Sequence, residues 1–210
     1  MRALAAVLVF ARAPLPGRAK SRLAPRLGEW GAARLQARLT RRALRTAREA
    51  RCGPLELHGA PRPRHGMLVR EARRFGASLH AQRGADLGAR MLHALRGALR
   101  RHGAAILIGT DCPVLHAADL RRAARALAAG HDAVFAPAED GGYALVGVRR
   151  VAPRLFEGIA WGEAQVFAHT RSRLEALGWR WKRLRTVWDV DRSEDLERLR
   201  RTSLKGRRSF

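Results

Sequence analysis

"LIGTDCPVL", residues 107–115, passes from apolar to acidic in a single step. Residues 104–109, ending in Leu107, Ile108 and Gly109, have the short, uncharged character of a strand buried on both faces. Thr110 and Asp111 follow at once, and Pro113 turns the chain after Cys112. The chain carries only 18 acidic residues against 42 basic ones, so a carboxylate at the tip of a buried strand needs a reason. Either Asp111 caps backbone amides in the turn before Pro113, or it faces a ligand beyond the strand's end.

The surrounding pattern favours a ligand edge. Residues 3–11 read as a first buried strand, 54–58 and 77–81 as weaker ones, and 132–136, 143–148 and 180–188 as later ones. Between them lie helical periodicities. Leu35, Leu39, Ala43 and Ala47 mark 31–50. A possible helix covers 65–75. Leu87, Met91, Leu95 and Leu99 form a stripe that starts after Asp86, a candidate N-cap. Residues 117–129 read as helix, as do 163–177 with Val166, Phe167, Thr170, Leu174 and Leu177 facing inward, and a short helix begins near Ser193. Strand–helix alternation of this kind predicts an α/β domain with a mostly parallel sheet and helices on both faces. Ligands then bind beyond the carboxyl ends of the strands. One domain over 1–200 accounts for the length, and "RRTSLKGRRSF" at 200–210 reads as a basic, frayed tail over 201–210.

The formal net charge of +24 points first to nucleic acid. Yet only Lys20, Lys182 and Lys205 are lysines; the rest of the charge is Arg, set among abundant Ala and spread along helix faces. Compositional drift explains that pattern better than a dedicated surface, so any nucleic-acid binding is expected to be weak, nonspecific and salt-dependent. Cys52 and Cys112 suggest free thiols in a reducing, cytoplasmic setting rather than a disulfide framework. No apolar run has the length of a membrane span. "MRALAAVLVFARA" at 1–13 imitates a secretory leader, but Pro14 would follow the cut, and the run reads better as the first strand.

Three further segments carry chemistry. "ARAPLPGRAKSRL" at 11–23 is a loop stiffened by prolines and Gly17 and crowded by Arg12, Arg18, Lys20 and Arg22, a setting suited to polyphosphate. It is neither a Walker loop nor a dinucleotide turn. "PAEDGGYALVGV" at 137–148 places Asp140 before Gly141 and Gly142, where backbone can approach a ligand closely; a Gly-Gly hairpin turn fits as well. "WDVDRSEDL" at 188–196 holds Asp189 and Asp191. Asp191 with Glu194 fits a capping box, but two acids at strand ends could also hold a hard cation such as Mg²⁺ or Mn²⁺, with phosphate and water filling the remaining positions.

Taken together and in order, "FARAPLPGRAKSRL", "QRGADLGARM", "LIGTDCPVL", "PAEDGGYALVG", "LFEGIAW" and "WDVDRSEDL" resemble the bacterial glycosyltransferase-like proteins of the DUF2064 family, relatives of the 2-phospholactate guanylyltransferases. The resemblance spans about residues 4–200. It implies a GT-A-like, nucleotide-diphospho-sugar transferase fold, a three-layer sandwich around a mostly parallel sheet. It implies a nucleotide held by Ala11, Arg12, Gly17, Lys20, Arg22 and Arg90, with Lys20 and Arg22 at the phosphates. A Mg²⁺ or Mn²⁺ ion would lie at Asp111 and Asp191. The acceptor would lie near Gly141, Gly142, Tyr143 and Trp161, with Asp140 orienting or deprotonating it. Glycosyl transfer from a nucleotide sugar is the favoured reaction and nucleotidyl transfer the alternative; a nucleic-acid-binding protein on a degenerate transferase fold is the reading outside enzymes. The sequence departs from the family after Trp161: Glu163 stands where the family usually has Thr, although an acid also suits a helix's first turn.

Overall fold

The computed structural model describes residues 5–205. Residues 3 and 4 of the expected first strand, and 206–210 of the expected tail, lie outside the described residues. In chain order the elements are β1 (Ala5–Arg12), α1 (Ala24–Ala50), β2 (Leu55–Ala60), α2 (Gly66–Phe75), β3 (Ser78–Ala81), α3 (Leu87–Leu99), β4 (Ala104–Gly109), α4 (Ala117–Ala128), β5 (Ala133–Pro137), β6 (Tyr143–Val148), α5 (Val166–Ala176), β7 (Trp181–Arg183) and α6 (Ser193–Lys205). The seven strands form one sheet in the order β3-β2-β1-β4-β6-β5-β7. All pairings are parallel except those of β6, which runs against both β4 and β5.

The three layers follow from period-two alternation along the strands. Val7, Val9, Ile106 and Ile108 pack with Leu44 of α1, Leu68 of α2 and Leu120 of α4 on one face. Leu8, Phe10 and Leu107 pack with Leu95 of α3 and Leu174 of α5 on the other. A smaller cluster of Leu23, Leu39, Trp188, Val190 and Leu199 seats α6 beside α1. The strand order reverses direction between β1 and β4, because β2 and β3 are added on one side of β1 and everything after α3 on the other. A crevice opens at such a reversal.

Four boundaries differ most from the sequence reading, each with its own local setting. Helix α1 begins at Ala24, with Pro25 in its first turn where a missing amide costs nothing. The strand expected over 180–188 pairs regularly only over Trp181–Arg183, with one further bridge from Val187 to Ala138. Between them Arg185 leaves the sheet edge to bond Asp119 and the Val114 carbonyl. Helix α5 begins at Val166 rather than 163, after a turn region. Helix α6 runs on to Lys205, through the first part of the stretch read as a tail.

Gly28 interrupts α1 with φ 67 and ψ 162, a region open to glycine and almost nothing else. Beyond its chain neighbours and the adjoining backbone of its own helix, no atom lies within 4 Å of where its Cβ would stand. Gly28→Ala therefore isolates the backbone cost. Urea denaturation is expected to show a loss of about 1–3 kcal/mol; an unchanged midpoint would mean that the bend is not required.

Candidate functional site

A cleft of about 1190 Å³ lies over the carboxyl ends of β1 and β4. Arg12 at the end of β1, and Arg18, Lys20 and Arg22 in the loop that follows it, line this cleft together with Asp140, Glu163, Asp189, Asp191, Tyr143 and Trp161. Asp111, just past the end of β4, lines it too.

Lys20 ties the loop after β1 to the segments that follow β4 and β7. Its backbone is left-handed, at φ 52 and ψ 41, a conformation that costs a non-glycine residue about 1–2 kcal/mol. That geometry turns the side chain inward. The ammonium lies 2.8 Å from Asp111 Oδ2, with only 3% of the side chain exposed. It also donates to the Val190 carbonyl, in the segment that follows β7. The other oxygen of Asp111 is held as well: Thr110 Oγ1 donates to Oδ1 at 3.1 Å, and buried Gln36 donates to Thr110 Oγ1 at 3.0 Å. Asp111 is thus a fixed carboxylate facing the cleft, and the turn-capping alternative does not describe its bonds.

Asp191 is held by the next cation of the same loop, the Arg22 guanidinium, in an exposed pair. It does not act through a capping box with Glu194. Asp195 does that work, accepting the amides of Asp191 and Arg192 at 2.9 and 2.7 Å. Asp189 is not among the metal ligands that the resemblance implies, yet it faces the most unusual surroundings. Burial, then the charges of Asp140 and Asp111, push its carboxyl up to about 6, with Lys20 offsetting part of this. The pattern held a usable signal. In an extended stretch residues two apart share a side, and here Trp188 and Val190 are buried while Asp189 and Asp191 line the cleft.

The hairpin between β5 and β6 is closed by the Ala138 amide on the Gly142 carbonyl, and Asp140 Oδ1 accepts the Gly142 amide at 2.9 Å. Asp140 and Gly142 reach the cleft. Gly141 does not: its carbonyl accepts from Phe167 of α5, and at φ 89 a Cβ would drive into the Ala164 carbonyl. Its freedom serves an approach to the chain's own backbone, not to a ligand. Gly17 likewise faces Glu29 rather than the cleft. Tyr143 packs edge-on against Phe135 and Trp161, at ring separations of 5.1 and 6.3 Å. Ala11 and Arg90 line the opposite end, where the Arg90 side chain donates to the Gly84 carbonyl and shapes the loop after β3. Gln82 also lines that end, with its amide nitrogen donating to the Ala11 and His58 carbonyls. Sequence reasoning missed Gln82, Gln36 and Thr110, since nothing in their spacing distinguishes them.

Comparison with known proteins agrees with this geometry. Residues 43–163 match the model of DUF2064, a family described as uncharacterised proteins conserved in bacteria. The chain belongs to DUF2064. It is 31% identical to a Desulfovibrio desulfuricans G20 protein assigned as a nucleotide-diphospho-sugar transferase, over 99% of this chain and 91% of that one, with a TM-score of 0.88. Its fold is also that of 4-diphosphocytidyl-2C-methyl-D-erythritol synthase from Anaerococcus prevotii DSM 20548, at 8% identity, 98% and 100% coverage and a TM-score of 0.64. Rv0371C from Mycobacterium tuberculosis H37Rv, solved in complex with manganese, shares the fold at 19% identity, 93% and 97% coverage and a TM-score of 0.53. No curated protein matches the chain. The expected three-layer, nucleotide-diphospho-sugar transferase fold is therefore the observed one.

In this DUF2064 chain, no three His, Cys, Asp or Glu side chains among the described residues stand as a preformed metal site. A Mg²⁺ or Mn²⁺ ion does not require one, since one or two carboxylates suffice when substrate phosphates and water complete the shell. Asp111, Asp189 and Asp191 all line the cleft, so the residues present are hard-oxygen donors of the kind such an ion takes.

The raised carboxyl of Asp189 sets a pH dependence. The folded chain holds this proton more tightly than the unfolded one, where Asp titrates near 4. Stability is therefore lost as pH rises from about 4 through about 6. In metal-free buffer Asp189→Asn is expected to raise the melting temperature at pH 7.5 and to leave it close to wild type at pH 4. Scanning calorimetry at the two pH values checks this; an equal shift at both would detach the effect from the charge.

Proposed function

We propose that the protein is a metal-dependent glycosyltransferase that uses a nucleotide sugar. The observation that carries this reading is that one cleft holds both kinds of group: the cations of β1 and its loop, and the carboxylates Asp111, Asp140, Asp189 and Asp191 beside Tyr143 and Trp161. A nucleoside diphosphate suits the cations, where Arg12, Arg18 and Arg22 offer guanidinium groups to phosphate oxygens. A sugar and a hydroxyl acceptor suit the other residues, where carboxylates accept hydroxyl hydrogens and Trp161 offers an apolar face. A divalent ion held by Asp111 together with Asp189 or Asp191 would neutralise the departing diphosphate. The acceptor oxygen bonds to the anomeric carbon, the bond to the diphosphate breaks with its electron pair, and Asp140 receives the acceptor's proton. The manganese-bound Rv0371C supports a metal in this fold.

Nucleotidyl transfer is the second reading, favoured by the same fold in the cytidylyl-type synthase. It requires an acceptor phosphate to enter beside Asp140, Glu163 and Asp189, and those carboxylates oppose it. Binding to nucleic acid as the main activity has no comparable support, because the carboxylates would face the phosphates there too.

A thermal-shift screen of ADP, GDP, CDP, UDP and their sugar conjugates, with and without Mn²⁺, tests the proposal. A ligand at a hundred times its dissociation constant adds about 2.7 kcal/mol of stability. The expected result is a shift that needs nucleotide and Mn²⁺ together and loses its Mn²⁺ dependence in Asp111→Asn and in Asp189→Asn. Stabilisation by none of these compounds, or nanomolar sequence-selective binding of DNA or RNA at physiological salt, would overturn it.

A further inference from the structure

Both carboxylates that the sequence assigns to a metal already carry a cation of the chain itself. Lys20 lies on Asp111 at 2.8 Å and Arg22 on Asp191. These cations are neighbours in one loop, and their partners come from the two segments that flank the cleft. Both oxygens of Asp111 already accept a bond, Oδ1 from Thr110 and Oδ2 from Lys20. A Mg²⁺ ion binds carboxylate oxygen at about 2.0–2.1 Å. An ammonium on that carboxylate repels a divalent ion arriving there, so metal binding works against the existing pair.

We propose that Lys20 and Arg22 are built-in counter-ions that a divalent cation must displace, so that metal and diphosphate bind together and neither binds well alone. The proposal rests on the metal-dependent reading above. Lys20 is buried, and moving its ammonium off Asp111 and the Val190 carbonyl strands a charge unless another anion receives it. The phosphates of a bound nucleotide are that anion, and they lie along the same loop. The four-carbon stem of lysine allows the swing, and a point charge needs no fixed angle to its new partner. Metal alone must therefore break the pairs without recompense, and nucleotide alone must compete with the carboxylates for the same cations. Each ligand removes the other's obstacle, which is a positive coupling between two sites.

The sign of the expected effect separates this role from a plain phosphate contact. Removing a lysine that only binds phosphate leaves metal affinity unchanged in the absence of nucleotide. Removing a counter-ion strengthens it. Free Mn²⁺, followed by its electron paramagnetic resonance signal, is titrated with wild type, Lys20→Met and Arg22→Met, alone and with ADP, GDP, CDP or UDP. Lys20→Met is expected to bind Mn²⁺ without nucleotide about tenfold or more tightly than wild type, the equivalent of one charge-assisted hydrogen bond that no longer has to be broken. Arg22→Met is expected to move in the same direction, and in both variants the gain in Mn²⁺ affinity on adding nucleotide should shrink. Arg22 is 70% exposed, so its variant decides the question if Lys20→Met fails to fold. Mn²⁺ binding by the folded variants no tighter than wild type, with nucleotide-dependent binding intact in wild type, would overturn the counter-ion role alone. Wild type that binds no Mn²⁺ with any of the four nucleotides would overturn the metal reading and this proposal with it.

Discussion

The ammonium of Lys20 fixes the ligand edge of this fold. A charge with 3% of its side chain exposed is tolerable only when paired and hydrogen-bonded, and Lys20 finds both partners on segments far from it in sequence. Asp111 follows β4, and Val190 follows β7. The loop after β1, the loop after β4 and the approach to α6 are therefore tied at one atom. Beneath that atom, Leu23, Leu39, Trp188 and Val190 close the small apolar cluster that seats α6. The electrostatic tie and the hydrophobic one act on the same three segments.

This tie is possible only because of the strand order. With β2 and β3 on one side of β1 and β4 on the other, the chain leaving β1 must pass over the gap that β4 borders. The residues after β1 and after β4 are then neighbours, although some ninety positions separate them. Antiparallel β6 does the complementary thing on the far side. It brings the hairpin with Asp140 to the same edge as the carboxyl ends of the parallel strands, and α5 locks that hairpin through the Phe167 amide. The proximity of these residues is a property of topology before it is a property of any side chain.

Much of this was legible in the sequence, because strand and helix periods are local. Asp86 reads as an N-cap and accepts the Ala89 amide at 2.7 Å. "LIGTDCPVL" reads as a buried strand ending in a ligand-facing acid, and Asp111 stands in the cleft. What escaped depends on partners that no spacing encodes. The pair "GG" looked like one device, but Gly142 borders the cleft while Gly141 is pressed against Ala164. The acids of "WDVD" looked alike, but Arg22 happens to reach Asp191 and leaves Asp189 to face Asp140 and Asp111. The last strand was too long on paper because Arg185 answers to Asp119 across the edge rather than to its own period.

The abundance of arginine makes one contrast informative. In a chain of net charge +24, a carboxylate placed at random has a guanidinium within reach, and the structural acids show it. Arg41 draws Glu71 down and Arg198 draws Glu139 down. Burial pushes Glu56 and Asp119 up, but hydrogen bonds from His58 and Arg101, and from Arg185, more than offset it and leave both low. Asp189 goes the other way, up to about 6, because burial pushes its carboxyl up and the carboxylates of Asp140 and Asp111 add to the push, while Lys20 offsets only part of it. An arrangement that keeps arginine away from one acid, in a protein saturated with arginine, is costly unless something positive arrives from outside. That contrast singles out the cleft more sharply than the net charge of the chain does.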